Sequence, residues 1–293
     1  MVYIHFYTGT RLGNWLFQYA FAKSVSEDGV VSFYFDSPDA KKRLDPYWDL
    51  FAGCTAAFSL PAGTVQISEE TVRQKGLLFC KSQKNVELCG VFQNPLWFDD
   101  RIVRATYKIP HAVRDDIERR CGPVLARKNC VSIHVRRGDY LRLPHRFPFV
   151  GARYLTAAVN RFGAEVTYVV CSDDLPWCKK FFNQRKFPGR HFYFVEGGSP
   201  LADLFTMSLC AHNICSNSTF SWWAAWLNPS IEKRVIMPAR WFGVDIKQDT
   251  TSLYFKGVEV ISNPPTLLMA LRVYLRETRA KLGSAMRKVV RHA

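Results

Sequence analysis

The chain has 293 residues, 48% apolar and 22% charged, so it suits one large or two ordinary globular domains and is too apolar to be disordered. Forty basic against 25 acidic residues leave a net charge of +15, which favours an anionic partner: nucleotide, nucleic acid or membrane surface. No run approaches the ~18 apolar residues of a membrane span, residues 1–7 are too short and polar for a signal peptide, and no helix-turn-helix, zinc-finger or RNA-binding signature accompanies the charge.

A strand is expected over 2–7, rich in β-branched and aromatic residues, followed by a glycine turn at 9–14 and a helix over 15–26. Residues 30–35 read as a second strand. Signals from Asp36 to about Gly76 are mixed and give no order of elements. A strand at 87–92 precedes the Asn94-Pro95 break, and a helix over 111–120 is expected to close at Cys121-Gly122-Pro123. From Asn129 the pattern turns regular. Strand-like runs at 130–135, 166–171, 191–195, 213–215 and 234–237 alternate with helix-like runs at 152–162, 175–183, 201–210 and 219–227. That alternation predicts a parallel, Rossmann-like sheet with right-handed crossovers. Nine scattered cysteines, none in a Cys-x-x-Cys pair, read as reduced buried thiols of a cytosolic protein and not as a zinc site.

Four segments carry chemistry. His134, Arg136, Arg137 and Asp139 follow the apolar run 130–133, where a buried strand should end. Ligands bind at the carboxyl ends of such strands, and paired guanidiniums suit a diphosphate; an arginine pair that merely closes the strand is the structural alternative. Ser216-Asn217-Ser218-Thr219-Phe220-Ser221-Trp222-Trp223 follows another strand. Ser216 or Ser218 is a good helix N-cap, and a helix amino terminus can hold phosphate. The bland reading is a capped helix whose tryptophans face the core. Ser172-Asp173-Asp174 ends a third strand, where a carboxylate can meet a nucleoside or Ser172 or Asp173 can cap the next helix. Gly9-Thr10-Arg11-Leu12-Gly13-Asn14 opens a helix but is neither a dinucleotide fingerprint nor a Walker loop. Arg11 and Asn14 are its ligand-facing candidates.

Together, and in the family's order along the chain, the boxes Gly13-Asn14-x-Leu16-Phe17-x-Tyr19-Ala20, His134-x-Arg136-Arg137-x-Asp139 and Ser216 to Trp223 resemble the α-1,2-fucosyltransferase family, glycosyltransferase family eleven, in its bacterial form. Asp203-Leu204-Phe205-x-Met207-Ser208 fits the family's segment before the serine box. The resemblance runs from about Gly9 to about Pro238. It implies an α/β, GT-B-like fold of two facing Rossmann-like domains: 1–128 on the acceptor side, 129–262 binding the GDP-sugar, and a basic amphipathic helix over 263–293. It implies transfer of L-fucose from GDP-β-L-fucose to the 2-hydroxyl of a terminal galactose, with inversion. Arg136 would then hold the β-phosphate, Ser218 and Thr219 the diphosphate, and His134 and Asp173 the nucleoside, with Asn14 in the amino-terminal box. Trp15, where the family usually has Gln, leaves the acceptor contacts of that box open.

No convincing Asp-x-Asp is present. Asp116-Ile117-Glu118 reads as a solvated helix face, so no metal is expected and arginine with a helix terminus would stabilise the leaving diphosphate. The proton acceptor is expected at Asp139 or His145. Beyond Thr266, Leu267, Leu271, Leu275, Leu282 and Met286 recur at near-helical spacing among Arg272, Arg276, Arg279, Lys281, Arg287, Lys288 and Arg291. Such a helix either docks on the protein or lies on an anionic bilayer. The expected location is cytoplasmic, with the inner face of the membrane as a peripheral site. The competing functions are a transferase for another GDP-sugar and a basic nucleic-acid-binding protein.

Overall fold

Short runs of Val, Ile, Phe and Tyr pair into two wholly parallel sheets, and what separates those runs in sequence becomes the helices that cover them. The computed structural model describes residues 1–127 and 129–265, together with 267, 269–271, 274, 275 and 278. The chain divides into two units. The first holds Met1–Gly122, Gly197–Ser208 and Thr251–Phe255; the second holds Pro123–Glu196, Leu209–Thr250 and the remainder.

In the first unit, β1 (Val2–His5), α1 (Leu12–Val25), β2 (Val31–Tyr34), α2 (Pro38–Lys42), β3 (Cys54–Ala57), β4 (Val65–Ser68), α3 (Glu69–Lys81), β5 (Val86–Cys89), α4 (Asp100–Thr106) and α5 (His111–Leu125) follow in order. The strand order is β3-β2-β1-β5-β4, every pair parallel. Chain order runs outward on one side of β1 and resumes on the other, so the reversal falls between β1 and β5. Helix α1 is buried nearly all round, with Leu16, Phe17, Tyr19, Phe21 and Ala22 inaccessible. It begins at Leu12, three residues before the expected start, because the glycine turn is shorter than its composition suggests.

The unordered stretch 36–76 contains α2, β3, β4 and the first half of α3. Its strands are four residues long and too short to show a period. Ser68 and Thr71 form a capping box that starts α3, and Gly76, at φ 76°, kinks it. Helix α5 does not close at Gly122 but runs through Pro123 to Leu125. The proline forfeits a hydrogen bond near the helix end, while buried Cys121 and Val124 hold the last turn.

The second unit contains β6 (Cys130–Val135), α6 (Ala152–Val159), β7 (Thr167–Ser172), α7 (Leu175–Phe181), β8 (His191–Phe194), β9 (His212–Ile214), α9 (Thr219–Leu227), β10 (Val235–Pro238) and β11 (Val258–Ile261), while α8 (Pro200–Ser208) groups with the first unit. In α8, Asp203 shares a field with Arg120 and Asp116 of α5, and burial pushes its carboxyl up to about 6. The sheet order is β8-β7-β6-β9-β10-β11, all parallel. That is the Rossmann order with β6 first, and the reversal lies between β6 and β9. All six residues of β6 are buried. Val131, Ile133 and Val135 pack with Tyr154, Leu155 and Tyr168 into the core of this unit.

Most of the predicted carboxyl-terminal helix lies outside the described residues. Those described there are helical wherever they have a secondary-structure state, and Leu267, Leu271 and Leu275 are exposed while Met269 is buried. Among the described residues no helix is long and apolar enough to cross a membrane. All nine cysteines are free thiols.

Candidate active site

The strand order of the second sheet reverses at the carboxyl ends of β6 and β9, the place where open α/β sheets bind ligands. The two boxes singled out in sequence follow these two strands and join there. His134 of β6 meets Ser216, just past β9, Nδ1 to Oγ at 2.7 Å. The ring of Phe220 lies 5.3 Å from the imidazole. Burial first, and Arg136 second, push the His134 pKa down to about 3, so the ring is a neutral hydrogen-bonding group.

Downstream of His134 the chain turns sharply, and carboxylates from β7 organise the turn. Asp173 accepts the Arg137 amide at 2.8 Å and the Gly138 amide at 3.1 Å. A methyl group on Gly138 would sit 2.7 Å from Asp173 Oδ2, so any larger residue there must displace that carboxylate. Arg136 bridges Asp139 at 2.8 Å and Asp173 at 3.0 Å, and its guanidinium lies over the Tyr140 ring at 5.7 Å. Arg137 pairs with Asp174 at 2.9 Å and stacks 4.0 Å from the Trp177 ring centre. The two arginines therefore differ. Arg137, 13% exposed, pins β6 to α7; Arg136, 27% exposed, is held by two carboxylates at the open side of the turn.

The serine box supplies the opposite wall. Ser218 is the N-cap of α9 and accepts the Phe220 amide, leaving Thr219 as the first helical residue. Trp222 and Trp223 are wholly buried, as the bland reading of that box expects. Tyr140 donates its hydroxyl to the Asn217 carbonyl at 3.0 Å, which ties the arginine turn to this wall. Asn217 donates through Nδ2 to the Trp241 carbonyl at 2.8 Å, while its Oδ1 is buried without a hydrogen-bond partner among the described residues. Tyr140 and Asn217 were not singled out in sequence, although each lies inside or beside a box.

Asp173 is engaged by the arginine turn rather than standing alone at a strand end. The cap of α7 is neither Ser172 nor Asp173 but Asp174, which accepts the Trp177 amide at 3.2 Å; Ser172 accepts the Asp174 amide at 2.9 Å. His145 lies on the loop after β6. Its carbonyl accepts the Asp245 amide at 3.1 Å and its imidazole is 3.8 Å from the Asp245 carboxylate. Asn14 belongs to the first unit, in the first turn of α1, where its Oδ1 accepts from Gln93 Nε2 at 2.9 Å. Asp116 pairs with Arg119 and Arg120.

In the first unit, sequence reading missed a polar group at the corresponding reversal. His5, at the end of β1, contacts Glu87 of β5, Nδ1 to Oε1 at 2.7 Å, and Gln66 of β4 donates to the other oxygen of Glu87 at 2.8 Å. Gln18 of α1 is fully buried and donates to the carbonyls of His5 and Gly90, at 3.3 and 2.7 Å. The available signal was a glutamate inside an otherwise apolar strand, a place charged residues occupy only when paired.

Two Rossmann-type parallel sheets make a GT-B-like fold. The NodZ α-1,6-fucosyltransferase structure soaked with GDP-fucose shares it, with a TM-score of 0.50 at 14% identity over 81% of this chain and 94% of that one. Residues 101–244 match the family described as Glycosyl transferase family 11. Similar proteins include the O-antigen biosynthesis glycosyltransferase WbnK of Escherichia coli, 36% identical over 42% of this chain and 42% of that protein. The α-1,2-colitosyltransferase of Escherichia coli is 30% identical over 54% of this chain and 57% of its own length. The galactoside 2-α-L-fucosyltransferase Sec1 of Mus musculus is 38% identical over 33% of this chain and 28% of its own. The chain thus spans about half the length of the first two relatives.

Proposed function

We propose that this protein is a metal-independent, inverting glycosyltransferase that moves L-fucose from GDP-β-L-fucose to the 2-hydroxyl of a terminal galactose on a glycan. The observation that carries the reading is the union of the arginine and serine boxes at the β6–β9 reversal, through His134–Ser216 and Tyr140–Asn217. Relatives named for galactoside α-1,2-fucosyl transfer and for O-antigen biosynthesis support the reaction and a bacterial glycan acceptor.

In this reading the diphosphate takes the place of a carboxylate on Arg136. The guanidinium is already oriented by Asp139 and Asp173, so binding exchanges one anion for another and costs little reorganisation. Ser218, Thr219 and the amides that open α9 receive the remaining phosphate oxygens. Neutral His134 and Asp173 face the nucleoside side, Asn14 the acceptor side, and Asp139 or His145 is the acceptor of the hydroxyl proton. Negative charge that builds on the departing GDP is met by Arg136 and the helix terminus, and no metal takes part. The protein works at the cytoplasmic side, and its carboxyl-terminal basic segment makes peripheral contact with anionic lipid.

A second reading keeps the chemistry and changes the sugar, because one relative is named for colitose transfer. The test is mass-spectrometric. The full chain is incubated with GDP-fucose and galactose-ended glycans, with and without EDTA. A fucosylated product bearing an α-1,2 linkage, formed equally in both, is expected. A product only with another GDP-sugar moves the assignment to that sugar, and dependence on manganese after chelation refutes the metal-free mechanism.

A further inference from the structure

Strands β6 and β9 carry the two boxes past their carboxyl ends, and at their amino ends they bring two thiols together. Cys130 opens β6, and Cys210 stands two residues before β9. Both belong to the second unit. The strands are parallel neighbours with Val131 opposite His212, which sets Cys130 level with Ala211, the residue after Cys210. Adjoining strands run about 4.8 Å apart, inside the range of about 4.4–6.8 Å that a disulfide spans between Cα atoms. The side chains meet as well: the Cys210 thiol hydrogen-bonds to that of Cys130.

Backbone contacts fix both residues. The Cys130 carbonyl accepts the Ala211 amide at 2.9 Å. The Cys210 carbonyl accepts from Asn228 Nδ2 at 2.8 Å, and the same nitrogen donates to Asn213 Oδ1 at 2.8 Å. Asn213 in turn donates through Nδ2 to Ser132 Oγ at 2.8 Å. This buried ladder ties the segment before β9 to β6 and keeps the sulfurs side by side.

The pair also differs chemically from other thiols of the chain. The hydrogen bond from Cys210, against the opposing effect of burial, brings the Cys130 thiol down to about 7. Burial instead pushes up Cys54, Cys80, Cys89, Cys178 and Cys215. The thiolate is the form that attacks an oxidant. Cys130 and Cys210 are each 1% exposed, which excludes a bulky disulfide reagent. Yet Asn129, beside Cys130, is exposed, and so is Leu209, beside Cys210. Local opening of a strand end therefore admits a small oxidant.

We propose that Cys130 and Cys210 are a peroxide-oxidisable pair, in which Cys130 reacts first and Cys210 closes a disulfide that staples the amino ends of β6 and β9. The Cys130 thiolate attacks one oxygen of hydrogen peroxide. The O–O bond breaks, hydroxide leaves and takes a proton to become water, and Cys130 carries a sulfenic acid. The Cys210 sulfur then attacks the Cys130 sulfur. The S–O bond breaks, and the hydroxyl leaves with the thiol proton as a second water. The two thiols lose two electrons and the peroxide gains them. The staple keeps β6 beside β9, the strands whose far ends bring His134 to Ser216. It does not depend on the fucosyl-transfer reading.

The test uses the reduced full chain, treated with hydrogen peroxide, quenched with catalase, then denatured in alkylating agent and mapped by mass spectrometry. A linked peptide is expected, about 2 Da lighter than its two thiol parts, with fragment ions that place the bond at Cys210 and not Cys215. The disulfide closes a loop of about 80 residues, so the thermal midpoint is expected to rise by roughly 5–10 °C and to return with dithiothreitol. In Cys210→Ser, dimedone is expected to trap a sulfenic acid on Cys130. In Cys130→Ser, Cys210 is expected to stay alkylatable. Parent protein in which Cys130 and Cys210 remain unlinked after peroxide, or link only in urea, overturns the proposal without any variant. Oxidation of Cys210 in folded Cys130→Ser at the parental rate overturns the order of attack. A linked parent with an unchanged midpoint overturns the staple.

Discussion

His5 and His134 stand at matching places in two sheets and have contrasting partners. Each lies near the carboxyl end of the first strand of its sheet, beside the reversal of strand order, and each meets a polar partner 82 residues later at 2.7 Å. Glu87 gives His5 a negative partner and a half-open ring. Ser216 gives His134 only a hydroxyl, with Arg136 two residues on and 5% exposure. The second ring is held neutral by burial. Topology delivers the histidine, and the neighbouring strand decides what it does.

The largest effect that sharpens this contrast is expected at the second reversal. In the proposed reading, Arg136→Ala removes the cation that would meet the departing diphosphate. Transfer is expected to fall at least 10²-fold, about 3 kcal/mol in the transition state, with unfolding by urea little changed because the residue is partly exposed. Near-parental transfer by folded Arg136→Ala removes the diphosphate from this turn.

The pH dependence of stability tests the neutral histidine. The folded pKa of His134 is lowered to about 3, whereas the unfolded chain titrates near the ordinary 6.5. Above 6.5 both states are neutral and the stabilisation is fully present. As pH falls from 6.5 toward 3, the unfolded state binds a proton that the folded state refuses, so stability is lost. His134→Asn should therefore lose less stability than the parent over that window, by up to ~1.4 kcal/mol per pH unit. Parallel urea-unfolding curves for the two proteins between pH 6 and pH 4 would mean that the ring is not held neutral.

A smaller effect is expected from Gly138→Ala. Its methyl group would displace Asp173 from the turn amides and loosen Arg136. GDP affinity is expected to fall about tenfold, about 1.4 kcal/mol, as read by calorimetry, and Asp173→Asn should lower it less because the amide side chain still accepts from the Arg137 backbone. Unaltered affinity in Gly138→Ala would show that the turn tolerates displacement of Asp173.

Much of the second sheet was readable in advance because β6, β7 and β10 are buried on both faces and appear as largely apolar runs. Helix α9 falls on the expected residues, since Ser218 caps it and Asn228 ends it. The first sheet was harder. Strands β3 and β4 have four residues each with mixed burial, and nothing in such a run separates a strand from a loop. Strand β11 was missed for the same reason: only Ile261 of its four residues is buried. The cap at Asp174 could not be chosen over its neighbours Ser172 and Asp173, because all three are good capping residues and backbone geometry selects one.

Sequence alone determined the ordered boxes, the parallel character of the second sheet and the family they point to, because box spacing and apolar runs are local properties of the chain. Tertiary structure alone decided which arginine is pinned and which is open, that Asp173 organises the turn, and that Glu87 reaches His5. Those outcomes depend on which strands lie side by side, and strand neighbours are set by burial of whole sheet faces rather than by the residues adjacent in sequence.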